Sequence, residues 1–143
     1  MKLYDTLTDM FADLKDRDRE ILFIDGEKDE SAVKFGDLWE RSLALLGALQ
    51  SRGMKHGDEL IIFSKSNESF VVAFWAAVLG GIVPGPAAVG ISDEHKHKLF
   101  RILPQLENPT LFTEMDQLQR LHDFAEAEDM ADIVKLLDTH AVL

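Results

Sequence analysis

Ser66-Asn67-Glu68-Ser69-Phe70-Val71-Val72-Ala73-Phe74-Trp75-Ala76-Ala77-Val78-Leu79-Gly80-Gly81-Ile82-Val83-Pro84-Gly85-Pro86 reads as one helix with a start signal, an almost wholly apolar body and a hard stop. Asn67 is the expected N-cap. Glu68 places a carboxylate in the first turn, where free backbone N–H groups and the helix dipole favour negative charge. Gly80 and Gly81 end the helix, because glycine takes the left-handed C-cap conformation without steric penalty. Between residues 70 and 79 no face is polar, so the helix has to be covered on several sides. It is shorter than the roughly 20 apolar residues of a membrane span. The expected cover is a sheet on one side and helices on the others.

The flanks supply that sheet. Gly57-Asp58 is a turn dipeptide, followed by the apolar run Glu59-Leu60-Ile61-Ile62-Phe63-Ser64 at strand length. An apolar strand, a buried helix and a second apolar run at Ile82-Val83 have the form of a parallel β-α-β unit covered on both faces. Its crossover is expected to be right-handed. Pro84 and Pro86 lack backbone donors, so the second strand is expected to be short or a loop lining.

Upstream, Leu3, Leu7, Met10, Phe11 and Leu14 make one helical stripe. Ile21-Leu22-Phe23-Ile24-Asp25 and Ala32-Val33-Lys34-Phe35 suggest a hairpin across the charged connection Gly26-Glu27-Lys28-Asp29-Glu30. Gly36-Asp37 opens a helix with Leu38, Leu45 and Leu49 in one stripe, widened by Trp39, Leu43 and Leu46 and closed at Gly53. Downstream, Ser92 caps a helix with His95, Leu99, Ile102 and Leu103 on one face, which Pro104 ends or kinks. Pro109-Thr110-Leu111-Phe112-Thr113 is a third parallel strand. A helix with Met115, Leu118, Leu121 and Phe124 follows, then an amphipathic segment with Met130, Ile133, Val134 and Leu137. The expected class is α/β: a β-hairpin plus helices, then a β-α-β-α-β-α parallel unit, within a single domain covering residues 1–143. The apolar ending His140-Ala141-Val142-Leu143, with no capping glycine or proline, looks cut.

A chain of 143 residues can bury about two thirds of its unfolded surface. It contains no cysteine, which excludes a disulfide framework, thiolate zinc sites and a cysteine nucleophile. No signal-peptide pattern opens Met1-Lys2-Leu3-Tyr4-Asp5, so a cytoplasmic protein is expected. The net charge of −11 makes nucleic acid and anionic membranes poor partners. Residues 101–143 carry −6 of it, from nine acidic and three basic side chains. That is a solvated helical face or an acidic docking surface for a basic partner.

No catalytic constellation emerges, and the expectation is no catalytic, cofactor-binding or metal-binding residue. Gly80-Gly81-Ile82-Val83-Pro84-Gly85 closes a helix, whereas a phosphate loop follows a strand and opens one. Ser64-Lys65-Ser66-Asn67, between a strand end and a helix start, is better placed for an anion, but capping is the preferred reading because Glu68 already supplies negative charge there. His95 and His97 stand two residues apart on a helix and point away from each other, unlike a metal-binding i, i+4 pair. His56, His122 and His140 are isolated in the sequence, and Trp39 and Trp75 read as core aromatics.

Three stretches resemble the adenylate-forming, or AMP-binding, superfamily near its N-terminal end. They are Val33-Lys34-Phe35-Gly36-Asp37-Leu38; Leu49 with Arg52-Gly53 through Gly57-Asp58-Glu59-Leu60-Ile61-Ile62; and residues 70–86. In the last, Phe-Trp-Ala followed by Leu-Gly-Gly and Val-Pro-x-Pro is similar to starter adenylation and fatty acyl-AMP ligase domains of hybrid polyketide and nonribosomal peptide synthetases. The likeness covers about residues 5–115. Gly85 and Ala87 stand where relatives carry larger apolar residues, so looser packing is expected there. The family's Ser/Thr/Gly-rich phosphate loop ending in Pro-Lys lies beyond the matched region, as do its ribose-binding aspartate and adenylating lysine.

The resemblance implies a scaffold: an incomplete N-terminal subdomain of a ligase that activates a carboxylic acid as acyl-AMP for a carrier-protein or coenzyme A thiol. It also implies that ATP and magnesium serve the full-length enzyme and that this chain alone is inactive. Its partners would be the remainder of the adenylation domain and the carrier protein or coenzyme A, and an exposed sheet edge would favour self-association. The competing reading is a stand-alone acidic protein-interaction module with the same α/β fold.

Overall fold

The computed structural model describes residues 2–27, 29–90 and 92–142. Met1, Lys28 in the expected hairpin connection, Ile91 and the terminal Leu143 lie outside the described residues. The elements are α1 (Leu7–Leu14), β1 (Glu20–Asp25), β2 (Asp29–Lys34), α2 (Phe35–Ser51), β3 (Glu59–Phe63), α3 (Asn67–Leu79), β4 (Val83–Pro86), α4 (Asp93–Ile102), β5 (Thr110–Thr113), α5 (Met115–Ala127), α6 (Ala131–His140) and β6 (Ala141–Val142). A 3-10 turn at Leu103–Gln105 carries Pro104 at the end of α4. The expected α/β architecture is present, and the two-residue β6 is an addition to it.

β1 and β2 pair antiparallel, with Leu22 opposite Ala32. The other strands form one parallel sheet in the order β4-β3-β5-β6. The chain therefore steps from β3 to one neighbour, then crosses back to β5 on the other side. Crossovers of one hand must then lie on opposite faces of the sheet. That is observed: α3 packs with Leu60, Ile62 and Phe112 on one face, while α4, α5 and α6 pack with Ile61, Phe63 and Leu111 on the other.

α3 is shared by two cores, but it is not covered all round: Val72, Ala73, Ala76 and Ala77 are buried, while Phe70, Val71, Phe74, Trp75, Val78 and Leu79 are half-buried. Ala73, Ala76 and Ala77 are fully buried toward the sheet and α2, where small residues let the layers approach. Val71, Val72 and Trp75 face a second core formed with α1, the hairpin and α2. There the ring of Phe11 sits 5.2 Å from Trp39 and 4.6 Å from Trp75, so both tryptophans are core aromatics as expected.

The ends of α3 refine the sequence reading. Ser66, not Asn67, is the N-cap: its backbone is extended and its hydroxyl accepts from the Ser69 amide at 3.2 Å, while Asn67 is already helical. At the other end, Ile82 N–H donates to Ala77 C=O at 2.9 Å and Gly81 N–H to Val78 C=O at 3.2 Å, a complete Schellman closure. Only Gly81 takes the left-handed backbone, at φ 65°. Gly80 serves packing instead, since a Cβ there would lie 2.4 Å from Leu46 Cδ1 on α2.

β4 is a strand despite two prolines because it is an edge. The Val83 amide donates to Asp58 C=O at 2.8 Å and the Ala87 amide to Ile62 C=O at 2.9 Å, which turns the intervening Pro84 and Pro86 nitrogens away from β3. The expected looseness at Gly85 is not observed: a Cβ there would approach Ile61 Cδ1 to 2.8 Å, so glycine permits a close contact, and Ala87 packs against the second face of the sheet.

Three further expectations are corrected. Leu3 precedes the first helix, which Thr6 caps by accepting from the Asp9 amide, and is exposed. Leu43, Ile102 and Met115 are exposed at the rims of their helices, and Phe100 takes the buried place beside Leu99 and Leu103. Ser92 stands at the N-cap of α4, but its hydroxyl meets His95 Nδ1 at 3.1 Å instead of a backbone amide.

The segment before α1 is tied down by Asp13. The Tyr4 hydroxyl donates to its carboxylate, and Lys2 Nζ and Arg17 Nη2 lie 3.1 and 3.0 Å away. These hydrogen bonds, Tyr4 first, hold the Asp13 pKa down to about 2 from 3.8. A carboxyl lowered by folding stabilises above its unfolded value and loses that contribution as pH falls toward its folded one. The contact of residues 2–4 with α1 is therefore expected to loosen between about pH 4 and 2, read from the Tyr4 ring resonances by NMR. Asp13→Asn should abolish that step.

Candidate functional site

In an open parallel sheet, ligands bind outside the carboxyl ends of the strands where the strand order reverses. Here the reversal falls between β3 and β5, so the residues in question are Ser64, Lys65 and Ser66 after β3 and Glu114 after β5. They meet. The Ser64 hydroxyl donates to the Glu114 carboxylate, and the Ser66 and Lys65 amides point to it at 3.3 and 3.4 Å. The loop that the sequence offers as an anion site thus already holds an anion, supplied by the chain 50 residues away. Charge repulsion and the loss of these donors both oppose a second one.

Glu114 is a residue that the sequence reading missed, because no local pattern connects the end of one strand to the loop after another. Glu114→Ala is expected to free the Lys65 and Ser66 amides, at a cost of about 1–3 kcal/mol for hydrogen bonds to a charged group. Hydrogen exchange at those two amides should accelerate while that of Leu60 and Ile62 is much less affected.

Beside this junction, a cleft of about 280 Å³ runs between the hairpin and the start of α3. Phe23, Ile24, Asp25 and Ser31 form one wall and Lys65, Asn67 and Glu68 the other. Glu68 receives Arg41 Nη1 at 2.6 Å and Ser31 Oγ at 3.4 Å, so it joins α2, β2 and α3. Phe23 and Ile24 are its apolar side chains, and Asp25, Glu30, Lys65 and Glu68 give it a mixed-charge rim.

At the opposite end of the sheet, Asp58 accepts from the Asn108 side chain at 2.9 Å and the Lys55 amide at 2.8 Å, which lowers its pKa, the Asn108 contact contributing most. This ties the start of β3 to the approach to β5.

The histidines separate as follows. His95 lies against Gly90, and His97 meets the Phe124 ring edge-on at 5.1 Å, so the two diverge as their spacing implies. His56 covers Gly81. His122, isolated in the sequence, is not isolated in the fold: Glu126 Oε1 lies 3.7 Å from its Nδ1 and Asp138 Oδ1 3.3 Å from its Nε2. Among the described residues, no helix is long and apolar enough to cross a membrane.

No protein-family model matches the sequence. Solved structures do match the fold. The structure of McyG A-PCP complexed with phenylalanyl-adenylate superposes with a TM-score of 0.82 over 99% of this chain and 25% of its own, at 22% identity. A multidomain structure of a keto acid-selecting NRPS module, containing adenylation and ketoreductase domains, aligns at 26% identity and a TM-score of 0.73, over 90% of this chain and 11% of its own. A fatty acyl-adenylate ligase structure, from a study of the E. coli and L. pneumophila enzymes, gives 0.78 over 97% and 24%, at 21% identity.

The fold is that of the adenylate-forming, AMP-binding superfamily, as adenylation domains of NRPS modules and fatty acyl-AMP ligases present it. Within that class, the chain matches an adenylation-domain fragment, spanning about a quarter of the length of the McyG and fatty acyl-adenylate ligase structures.

Proposed function

We propose that this chain is the N-terminal scaffold of an ATP-dependent ligase that activates a carboxylic acid as its acyl adenylate and passes the acyl group to a carrier-protein or coenzyme A thiol. The observation that carries this reading is the superposition of 99% of the chain on one quarter of the McyG A-PCP structure. The motif Phe74-Trp75-Ala76 with Leu79-Gly80-Gly81 and Val83-Pro84-Gly85-Pro86 supports a place in polyketide or nonribosomal peptide synthesis.

In this role β3, α3 and β4 form a rigid support for the acyl site, and the Ser64–Glu114 junction sets the position of the loop that faces it. ATP and magnesium are bound by later parts of the enzyme, which supply the phosphate loop, the ribose-binding aspartate and the adenylating lysine. The test is nucleotide binding and turnover by this chain alone. Titration with ATP and magnesium should give no saturable heat, and ATP–pyrophosphate exchange should stay at background with any carboxylic acid. Exchange clearly above background would overturn the scaffold role.

One observation favours a second reading. Asp116, Asp123, Glu126, Glu128, Asp129, Asp132 and Asp138 are all exposed on or between α5 and α6, which suits a stand-alone module that docks a basic partner. A salt-sensitive complex of the free chain with a basic protein would favour it.

A further inference from the structure

His122, Asp123 and Glu126 on α5 each bring one ligand atom within 4.8 Å of the others. The imidazole is one quarter exposed and, with Asp138 of α6, lines a groove of about 580 Å³ floored by Leu118, Leu137 and Val142. Three carboxylates surround this ring. Among the described residues, no lysine or arginine lies within 4.0 Å of any of them.

The arrangement around the ring is directional. With Asp138 Oδ1 3.3 Å from Nε2, an imidazole carrying its proton on that nitrogen has its Nδ1 lone pair on the side of the Glu126 carboxylate, 3.7 Å away. Both atoms are acceptors in that state, and a cation placed between them would have both as ligands. A carboxylate that orients the far ring nitrogen is the arrangement by which proteins fix the tautomer of metal-binding histidines. Asp123 accepts from Gln119 Nε2 through Oδ1, which leaves its second oxygen available.

We propose that His122 Nδ1, Glu126 and Asp123 bind a divalent transition-metal ion of the zinc class, with Asp138 as the positioning residue for the ring. One imidazole nitrogen with two carboxylates suits zinc, cobalt or nickel, whereas magnesium and calcium take oxygen ligands. Through Asp138 the site couples α5 to α6 immediately before β6, whose Ala141 carbonyl receives Arg52 Nη1 at 2.8 Å.

The test titrates the chelator-treated protein with zinc alone, reading heat and melting temperature, and repeats the titration with magnesium. One zinc per chain is expected, with a rise in melting temperature that magnesium does not reproduce. His122→Ala should weaken zinc binding at least tenfold, the nearly isosteric Glu126→Gln should weaken it in the same direction, and Asp138→Asn should cost about tenfold. Removing His95 and His97 together should leave the affinity unchanged. Zinc binding that survives both His122→Ala and Glu126→Gln, or no binding at millimolar zinc, would overturn the site.

Discussion

Ile62→Ala is expected to lower the stability of the chain by about 2–5 kcal/mol, the cost of emptying a well-packed aliphatic position. β3 lies between β4 and β5, and Ile62 is fully buried among Leu46, Leu49, Ala73, Ala77 and Phe112. Strands in register on both sides and the helical layer above it leave little room for the cavity to collapse. The loss is a large share of the roughly 5–15 kcal/mol that holds a domain together. Urea denaturation should show a lower midpoint with an unchanged slope. Ile102→Ala, on an exposed rim of α4, is the control and should stay within about 0.5 kcal/mol. Equal losses at the two positions would contradict the central place given to β3.

Gly81→Val is expected to destabilise the chain through the closure of α3. The residue closes α3 at φ 65°, where an L-residue costs about 1–2 kcal/mol and a β-branched one more. A Cβ would also meet the His56 ring at 2.2 Å, but that ring is exposed and can swing away, so the backbone decides the cost. Gly47→Ala is the opposite case. Gly47 lies inside α2 with open space at the Cβ position, so alanine should stabilise by about 0.5–1 kcal/mol. Thermal unfolding of the two variants should move in opposite directions.

α3 was legible from the sequence because every local signal agreed: a polar cap, an apolar body with no polar face, and a glycine stop. The parallel unit followed from it, since a helix of that kind needs a sheet and a second layer. What stayed hidden depends on contacts between distant residues. Gly80 and Gly81 look alike in sequence, yet one answers to Leu46 and the other to its own φ. Periodicity marked the stripes of α2, α4 and α5, but which rim the neighbouring layer reaches decided that Leu43, Ile102 and Met115 are exposed.

The candidate site was harder to read for the same reason. Ser64 and Ser66 were visible as a strand-to-helix loop, but the carboxylate that fills it comes from beyond β5. His122 gained a meaning only when the α5–α6 turn, closed by Asp129 at φ 58°, brought Asp138 to its ring.

The measurement that bears most directly on the account is the intact mass and ATP–pyrophosphate exchange of the species that carries this chain when it is isolated from its native source. A ligase scaffold is expected to be found in an assembly or polypeptide several times larger than 143 residues, containing a Ser/Thr/Gly-rich loop that ends in Pro-Lys and exchanging pyrophosphate with a carboxylic acid. A free 143-residue chain, with neither such a loop in a partner nor exchange activity in the isolate, would contradict it.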